Sequence, residues 1–504
     1  MAPVAAPAPP DPGGAPVAST RIVDDTDTEP GPGGPDRPER PAPSAGSPAG
    51  VLGGGLAALF GLLIGMRRIY DNSFLTHLAT GRIILDERAV PTTDPYSFTA
   101  TGRPWVVQSW FASLIYGAVD QLGGFGALRV LNGLLVAAIG MLVWWLTARS
   151  PSLVVRVGVT TAVLVLGTEV LSGRPLLFGV IGLALVMLAA DGRLDPRWLV
   201  PVGWVWVNTH GSFPFALVLL GVLAVGTRLD TGRWGREPRV ARWAVAGLLL
   251  GAVNPLGLRL LTFASALLSN REAFATIREW RAPTYDGWHQ YGIVALLALA
   301  VLALVRRPNW RDGLVVAVFG ALAMTSARNG VVLIVLLAPV LAGGAPRRGP
   351  DVAAVRSPLL RPALAMVPVL AVAFTVASLQ SPHTNLTPYP VDALDWMEEQ
   401  GLLDEGSRVV APDYVGNFRE VRDGPRADVF YDDRVDMYPI EVVRDFVELN
   451  EGGPGWPGIL ERHEATAVLW KADSPLGGAL ERDPGWEIVH RDAQWVVAVP
   501  RIAR

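Results

Sequence analysis

Leu176-Leu-Phe-Gly-Val-Ile-Gly-Leu-Ala-Leu-Val-Met-Leu-Ala-Ala190 carries no polar side chain. Arg174 precedes it, and Asp191, Arg193 and Arg197 follow. An apolar run closed at both ends by ionisable residues reads as a segment set in a bilayer. It is one of eleven such runs: Val51–Met66, Phe125–Thr147, Val154–Ser172, Leu176–Ala190, Trp198–Val207, Phe213–Thr227, Ala241–Val253, Tyr291–Val305, Gly313–Ser326, Val331–Ala342 and Pro362–Leu379. Several fall short of the roughly 20 residues that cross a bilayer as a helix. Trp198–Val207, with Pro201 inside it, is the weakest, and it either extends through Asn208 or packs among other helices. The expected fold is mainly α, a polytopic transmembrane helical bundle of about eleven spans.

Composition agrees. Of 504 residues, 50% are hydrophobic and 18% charged, with a mean hydropathy of +0.33. An average soluble protein carries about 25% charge. A net charge of −3 argues against binding to a polyanion, so no nucleic-acid partner is expected. The absence of cysteine excludes disulfides, thiolate metal sites and a cysteine nucleophile. Lys471 is the single lysine, an arginine bias that fits GC-rich codon usage.

The runs divide the chain into three parts. Residues 1–50 hold 13 prolines and 7 glycines with no apolar periodicity, and read as a disordered tail. No apolar stretch follows a basic start there, so the tail is not a signal peptide. Residues 51–379 form the membrane domain. In residues 380–504 the apolar runs shrink to strand length: Arg408–Ala411, Asp428–Tyr431, Ala465–Trp470, Glu487–His490 and Trp495–Val499. Between them Val391–Gln400, Ile440–Asn450 and Gly458–His463 read as helices, giving a small soluble α/β domain.

Arginine placement orients the bundle, because basic loops stay cytoplasmic. The basic connections are Arg228, Arg233, Arg236, Arg239 and Arg242; Arg306, Arg307 and Arg311; and Arg347, Arg348, Arg356 and Arg361. Threading eleven spans between them puts the N-terminal tail in the cytoplasm and the C-terminal domain outside the cytoplasmic membrane. A large first outer loop, residues 67–124, results. Arg67 and Arg68 then fall on the outer side, either as anchors for a lipid phosphate or as snorkelling side chains. Within the loop, Trp105–Val119 reads as a helix lying in the interface, with a tightly packed partial span as the other reading.

The unusual polar residues gather on that outer side: Asp71, His77, Arg82 and Asp94; Arg174; Asn208 and His210; Asn254 and Arg259; Glu279, Trp280 and His289; Arg328 and Asn329. Ionisable groups near membrane depth are costly and line cavities. Outer turns are also polar simply as turns. The set contains Trp206-x-Asn208-x-His210-Gly211 and Glu279-Trp280, which ordinary short turns do not favour.

These residues resemble those of the glycosyltransferase C superfamily, multi-spanning enzymes that take a sugar from a polyprenyl-phosphate donor outside the cytoplasmic membrane. More closely, the chain resembles a widespread group of bacterial membrane proteins. Their signature is here Asp71-Asn-Ser-Phe-Leu-Thr-His77-Leu-Ala-Thr-Gly81-Arg82, Pro91-Thr-Thr-Asp94-Pro-Tyr-Ser97, Trp105 and Trp110. Arg174-Pro, Asn208-x-His-Gly211, Asn254-Pro-x-Gly257, Glu279-Trp280, Arg328-Asn329 and Asp432-Asp-Arg-Val-Asp436 continue it, so that it covers about residues 51–500. The group often carries a second acid where this chain has Ser73. The resemblance implies a transferase with Asp71 as the catalytic carboxylate, a polyprenyl-phosphate sugar as donor, and a glycan, lipid or protein of the cell envelope as acceptor.

In such a reaction a carboxylate takes the acceptor proton while arginines hold the departing phosphate. Arg82, Arg174 and Arg328 suit the second role, with Arg67 and Arg68 on the lipid phosphate. His77 and His210 suit donation to phosphate or sugar hydroxyls. Trp105, Trp110 and Trp280 suit either stacking or interface anchoring. Asp94, Asn208, Glu279 and Asn329 complete the candidate binding set.

Asp432-Asp433-Arg434-Val-Asp436 reads either as a divalent-cation site or as a turn closed by a salt bridge. No histidine pair has zinc-ligand spacing, and Gly53-Gly-Gly55 lies in an apolar run where helix packing explains it. Two other classes stay open. A flippase of a lipid-linked intermediate would need charges along both halves of a cavity, and Glu169 is the main one inside a run. A non-catalytic assembly protein would explain Ser73.

Overall fold

The computed structural model describes residues 47–263, 271–274, 277–346 and 349–501. The tail reading of residues 1–50 falls almost wholly outside them, as do Arg347 and Arg348. The first helix begins before the tail was expected to end. Helix α1 spans Pro48–Gly65, with proline in its first turn and the Ser47 hydroxyl accepting from Gly50 N–H at 3.1 Å.

Every apolar run lies on a helix. After α1 and the amphipathic α2 (Asn72–Glu87) come α3 (Trp110–Leu146), α4 (Leu153–Leu166), α5 (Leu176–Ala190), α6 (Leu199–Thr209) and α7 (Phe215–Thr231). Then follow α8 (Glu237–Leu250), α9 (Trp288–Arg306), α10 (Trp310–Thr325), α11 (Gly330–Gly344) and α12 (Leu360–Leu379). Among the described residues five helical stretches are long and apolar enough to cross a membrane: Pro48–Gly65, Trp110–Arg149, Trp288–Arg306, Ala327–Gly344 and Leu360–Leu379. Helices α4 and α5 are apolar but shorter. The run at 154–172 stops being helical at Leu166, and α6 extends through Asn208 to Thr209.

The helix expected over Trp105–Val119 is present from Trp110 onward, and a break in helical geometry at Gly123 and Gly124 separates it from the next run. The two parts together make up α3. Gly124 takes φ +58°, a left-handed conformation that favours glycine.

The chain alternates between two ends of this helical array. At one end Arg149 donates to Asp191 (2.7 Å) and Asp312 (2.8 Å), and Arg311 donates to Asp191 at 3.0 Å. Asp230 accepts from the N–H groups of Trp310 (2.7 Å) and Arg311 (2.9 Å). These contacts tie the ends of α3, α5, α7 and α10 into one charged layer. Asp71 lies at the opposite end. There Arg129, buried on α3 with no carboxylate partner among the described residues, donates to the carbonyls of Met66 (2.5 Å) and Ser378 (2.8 Å). It satisfies carbonyls that the ends of α1 and α12 leave open.

Residues 391–500 add α13 (Val391–Glu399), α14 (Asp413–Asp423), α15 (Ile440–Glu451), α16 (Trp456–Arg462) and α17 (Pro475–Arg482). With them comes a four-stranded sheet of β1 (Val409–Val410), β2 (Ala467–Lys471), β3 (Trp486–Arg491) and β4 (Trp495–Pro500), in the order β1-β2-β4-β3. Val409 pairs with Ala467 in parallel, and β4 pairs antiparallel with both neighbours. Asp428–Tyr431, expected as a strand, makes only single bridges, Val429 to Val409 and Val429 to Ser97. The second bridge explains the difference, because this stretch pairs with the loop after α2 instead of extending the sheet.

That loop is bolted to the C-terminal part by Arg434. Its guanidinium donates to Asp94 (2.6 Å) and Asp432 (2.6 Å) and lies 4.9 Å from the Tyr96 ring centre and 4.7 Å from that of Trp105. All five residues are buried.

Helix α2 crosses α3 at two glycines. A Cβ on Gly81 would lie 2.0 Å from the Ser113 carbonyl oxygen, and one on Gly117 would lie 2.6 Å from the Gly81 backbone. Gly81→Ala is therefore expected to lower stability by about 1–3 kcal/mol. Thermal unfolding in detergent should show a lower midpoint, while Gly158→Ala, where nothing lies within 4 Å, should lose nothing. An unchanged midpoint for Gly81→Ala would contradict the tight crossing.

Candidate functional site

Asp71 caps the N-terminus of α2. Its Oδ1 accepts from Ser73 N–H at 3.1 Å, satisfying a backbone donor that the first turn leaves open. Its Oδ2 accepts from the Ser172 hydroxyl at 2.8 Å and from Arg174 Nε. Arg174 in turn donates through Nη1 to Glu279 at 2.5 Å. A carboxylate–guanidinium–carboxylate chain thus joins the start of α2, the turn before α5 and the segment before α9. It runs from the buried Asp71, with a side chain 1% exposed, to Glu279 at 43%.

Further groups surround this chain. The Arg328 guanidinium lies 4.4 Å from the Trp280 ring centre, and Phe274 packs on Trp280 at 4.6 Å. Arg328 makes no ion pair among the described residues. The His77 ring contacts the Ser113 hydroxyl through Nδ1 at 3.2 Å. Loss of hydration pushes His77 down to about 4, so it is neutral at pH 7. His210 is pushed down by loss of hydration and by the positive charge of Arg328. Its Nδ1 accepts from Ser212 N–H at 3.2 Å and faces the Ser212 hydroxyl at 2.8 Å. That hydroxyl accepts from Trp206 Nε1 at 3.0 Å, so its own proton points to His210. Nδ1 is therefore unprotonated, and the hydrogen-bond network assigns the ring proton to Nε2.

Several other predicted site residues are committed to the scaffold. Arg82 donates to Asp120 (2.8 Å) and to the Val421 carbonyl (3.0 Å), tying α2 to α3 and α14. Asp94 accepts from Tyr96 N–H (3.2 Å), Ser97 N–H (3.0 Å) and Arg434 (2.6 Å). Asn208 is fully buried, accepting from Trp110 Nε1 (2.8 Å) and donating to the carbonyls of Trp204 (2.8 Å) and Gly251 (3.2 Å). Trp105 and Trp110 are therefore internal, not interface anchors. Asn329 donates to the Leu322 carbonyl at 3.1 Å at the end of α10. Asn254 shapes its own turn, accepting from Leu256 N–H at 2.7 Å. His289 pairs with Glu169 at 2.9 Å.

Arg67 and Arg68 line a cavity of about 380 Å³ with Tyr70 and Asn385. Arg67 donates to the carbonyls of Ile64 (3.0 Å) and Thr168. Arg68 is exposed and makes no ion pair among the described residues.

The acidic run after Phe430 resolves into two roles. Asp432 accepts from Arg434 (2.6 Å) and the Tyr438 hydroxyl (2.6 Å), so it belongs to the bolt. Asp433 reaches the start of α2, accepting from the Ser73 hydroxyl at 2.5 Å and from Asn72 Nδ2 at 3.2 Å. Loss of hydration and the nearby Asp413 push it up to about 7. Among the described residues no three histidine, aspartate or glutamate side chains converge as a metal site. Sequence reasoning missed Ser172 and the approach of Asp433 to Ser73. The pairing of a lost acid at 73 with a spare acid at 433 was the one available signal.

No family model and no curated protein matches the chain. Two solved structures of the arabinofuranosyltransferase AftD from Mycobacteria are similar to it. The first shows 14% identity and a TM-score of 0.47, covering 89% of this chain and 40% of its own. The second, the mutant R1389S, shows 17% identity and a TM-score of 0.45, covering 88% and 41%. The chain thus spans about 40% of the length of those proteins.

The raised Asp433 gives a pH prediction. An acid whose folded value exceeds its unfolded one binds its proton more tightly when folded. Its contribution to stability is present below the unfolded value, about 3.9, and is lost as pH rises through about 7. The unfolding midpoint of the wild type should therefore fall between pH 5 and pH 8 more steeply than that of Asp433→Asn. Parallel profiles would show that Asp433 is not held protonated.

Proposed function

We propose that the protein is an integral-membrane glycosyltransferase that moves a sugar from a polyprenyl-phosphate donor to a cell-envelope acceptor at the outer face of the cytoplasmic membrane. The observation that carries this reading is the Asp71–Arg174–Glu279 chain with Arg328 beside it. The buried carboxylate suits a base, and two guanidiniums at one end of the array suit a phosphate. The reading includes about eleven spans, a cytoplasmic N-terminus and an extracytoplasmic C-terminal domain over residues 380–504. Its support is the arginine content of the connections at the end opposite Asp71.

The mechanism uses the competition built into Arg174. An arriving lipid phosphate draws the guanidinium away from Asp71 and Glu279. Asp71 then loses the guanidinium that occupies its Oδ2 and can accept a proton there. It takes the acceptor hydroxyl proton as that oxygen bonds to the anomeric carbon. The bond from that carbon to the phosphate oxygen breaks, and the polyprenyl phosphate leaves against Arg174 and Arg328. The neutral His77 and His210 suit hydrogen bonding to the sugar without adding charge. Trp280, held by Arg328 and Phe274, suits a sugar face. Arg67 and Arg68 suit the lipid phosphate as it enters.

The test supplies the purified protein in vesicles with a radiolabelled polyprenyl-phosphate sugar and candidate acceptors. Asp71→Asn should cut kcat by about 10²–10⁴-fold, and Arg174→Gln should raise KM as well as lower kcat. Transfer unaffected by Asp71→Asn would remove the base assignment. Lipid movement across the bilayer without transfer would make the protein a flippase. A periplasm-active reporter fused after residue 504 should be active; an inactive fusion would overturn the orientation.

A further inference from the structure

A second charged cavity lies at the end of the helical array opposite Asp71. Helix α5 connects the two ends, and its 15 residues span about 22 Å. Arg174 stands before its first turn and Gly192 just after its last. The cavity measures about 410 Å³ and is lined by Arg193, Arg197, Arg236, Arg239 and Trp243, with Asp195 as its one acid.

None of the four arginines makes an ion pair among the described residues. Asp195 turns its carboxylate back to Arg197 N–H at 3.0 Å, capping the short helical turn at Pro196–Trp198. Asp191 is already held by Arg149 and Arg311, and the buried Glu237, next to Arg236, is held by Arg311 and Thr227. Arg193, half-buried, donates to the Trp145 carbonyl. Its affinity for its proton is lowered by loss of hydration. Arg197, Arg236 and Arg239 are exposed and Arg193 is half-buried, so four positive charges face one acid around the cavity, an arrangement that attracts an anion.

The backbone is adapted to this arrangement. Gly192 takes φ +77°, and a Cβ there would collide with the Arg236 guanidinium. Any other residue would displace that guanidinium from the turn. Trp243 lines the cavity, and Trp198 and Trp234, within two residues of Arg197 and Arg236 in the chain, are 63% and 62% exposed. Exposed tryptophans beside arginines mark the headgroup level of a bilayer, where the ring is half in hydrocarbon and half in water.

We infer that this cavity binds the phosphate group of an anionic phospholipid headgroup, in the leaflet opposite the Asp71 site. Guanidiniums recognise phosphate through paired charge-assisted hydrogen bonds, and four of them around one cavity exceed what a zwitterionic headgroup would compensate. The inference is independent of the proposed transfer reaction.

The full-length protein, purified in neutral detergent, is titrated with phosphatidylglycerol, phosphatidylcholine or inorganic phosphate. Thermal midpoint and lipid retained in native mass spectra are read together. Phosphatidylglycerol should raise the midpoint at roughly tenfold lower concentration than phosphatidylcholine. The double variant Arg236→Gln/Arg239→Gln should lose that preference while keeping the lipid-free midpoint. Arg103→Gln, at an exposed position in the loop after α2, should keep the preference. If the Arg236/Arg239 variant fails to fold, Arg197→Gln, at an exposed position, takes its place. Equal retention of both lipids, or an unchanged preference in the cavity variants, would overturn the proposal. Stabilisation of the wild type by inorganic phosphate as strong as that by phosphatidylglycerol would overturn the lipid assignment in favour of a soluble phosphate.

Discussion

A single buried guanidinium, that of Arg434, fixes the relation between the two halves of the chain. It meets Asp94 from the loop after α2 and Asp432 from the C-terminal part, between the rings of Tyr96 and Trp105. Breaking a buried pair leaves an uncompensated charge, which costs far more than the pair contributes while intact. The arrangement therefore acts as a register device. With Arg434 seated, Val429 bridges to Ser97, and Asp433 is delivered to the first turn of α2. The geometry around Asp71 depends on this bolt at a distance.

The same division of labour runs through the outer-loop pattern. Gly81 permits the crossing of α2 on α3, Asp94 anchors the bolt, and Asn208 joins Trp110 to the α6 and α8 backbones. Those residues build the platform. Asp71, Arg174 and Glu279 form a polar chain that crosses from buried to exposed, with His77, His210 and Arg328 around it. A motif that reads as one functional signature is in physical terms mostly scaffold around a few chemically available groups.

The helices were legible because their signal is local. Every apolar run became a helix, and the ends set by Gly or Pro fell within a few residues of expectation. The failures are of three kinds. Helix α14 was invisible because its apolar residues, Val415, Phe418 and Val421, are too few to give a clear period. Asp428–Tyr431 has strand composition, but its partner is a loop more than three hundred residues away, which no local pattern encodes. The helix read over Trp105–Val119 starts only at Trp110, because Trp105 N–H is bonded to the Thr92 carbonyl across the loop after α2, a pairing no local pattern encodes. At the site, residue types were legible and partnerships were not. Arg82 and Arg174 look alike in sequence, yet one is held by Asp120 and the other by Asp71.

Ser73 illustrates how a partnership changes the meaning of a substitution. Read alone, a serine in place of an acid leaves the site one carboxylate short. In the fold its hydroxyl donates to Asp433, so a carboxyl group still stands beside the first turn of α2, supplied by another part of the chain. Its charge state differs from that of an exposed acid, because loss of hydration and the neighbouring Asp413 favour the protonated form. In the proposed reaction a further full negative charge near Asp71 would repel an incoming phosphate. A carboxyl held largely neutral below pH 7 does not, and it can still hydrogen-bond. Asp71 and Glu279 share the guanidinium of Arg174, with Arg328 beside Trp280. In the proposed reaction a phosphate enters by taking Arg174 from its carboxylates, and that exchange leaves Asp71 without the guanidinium that occupies its Oδ2.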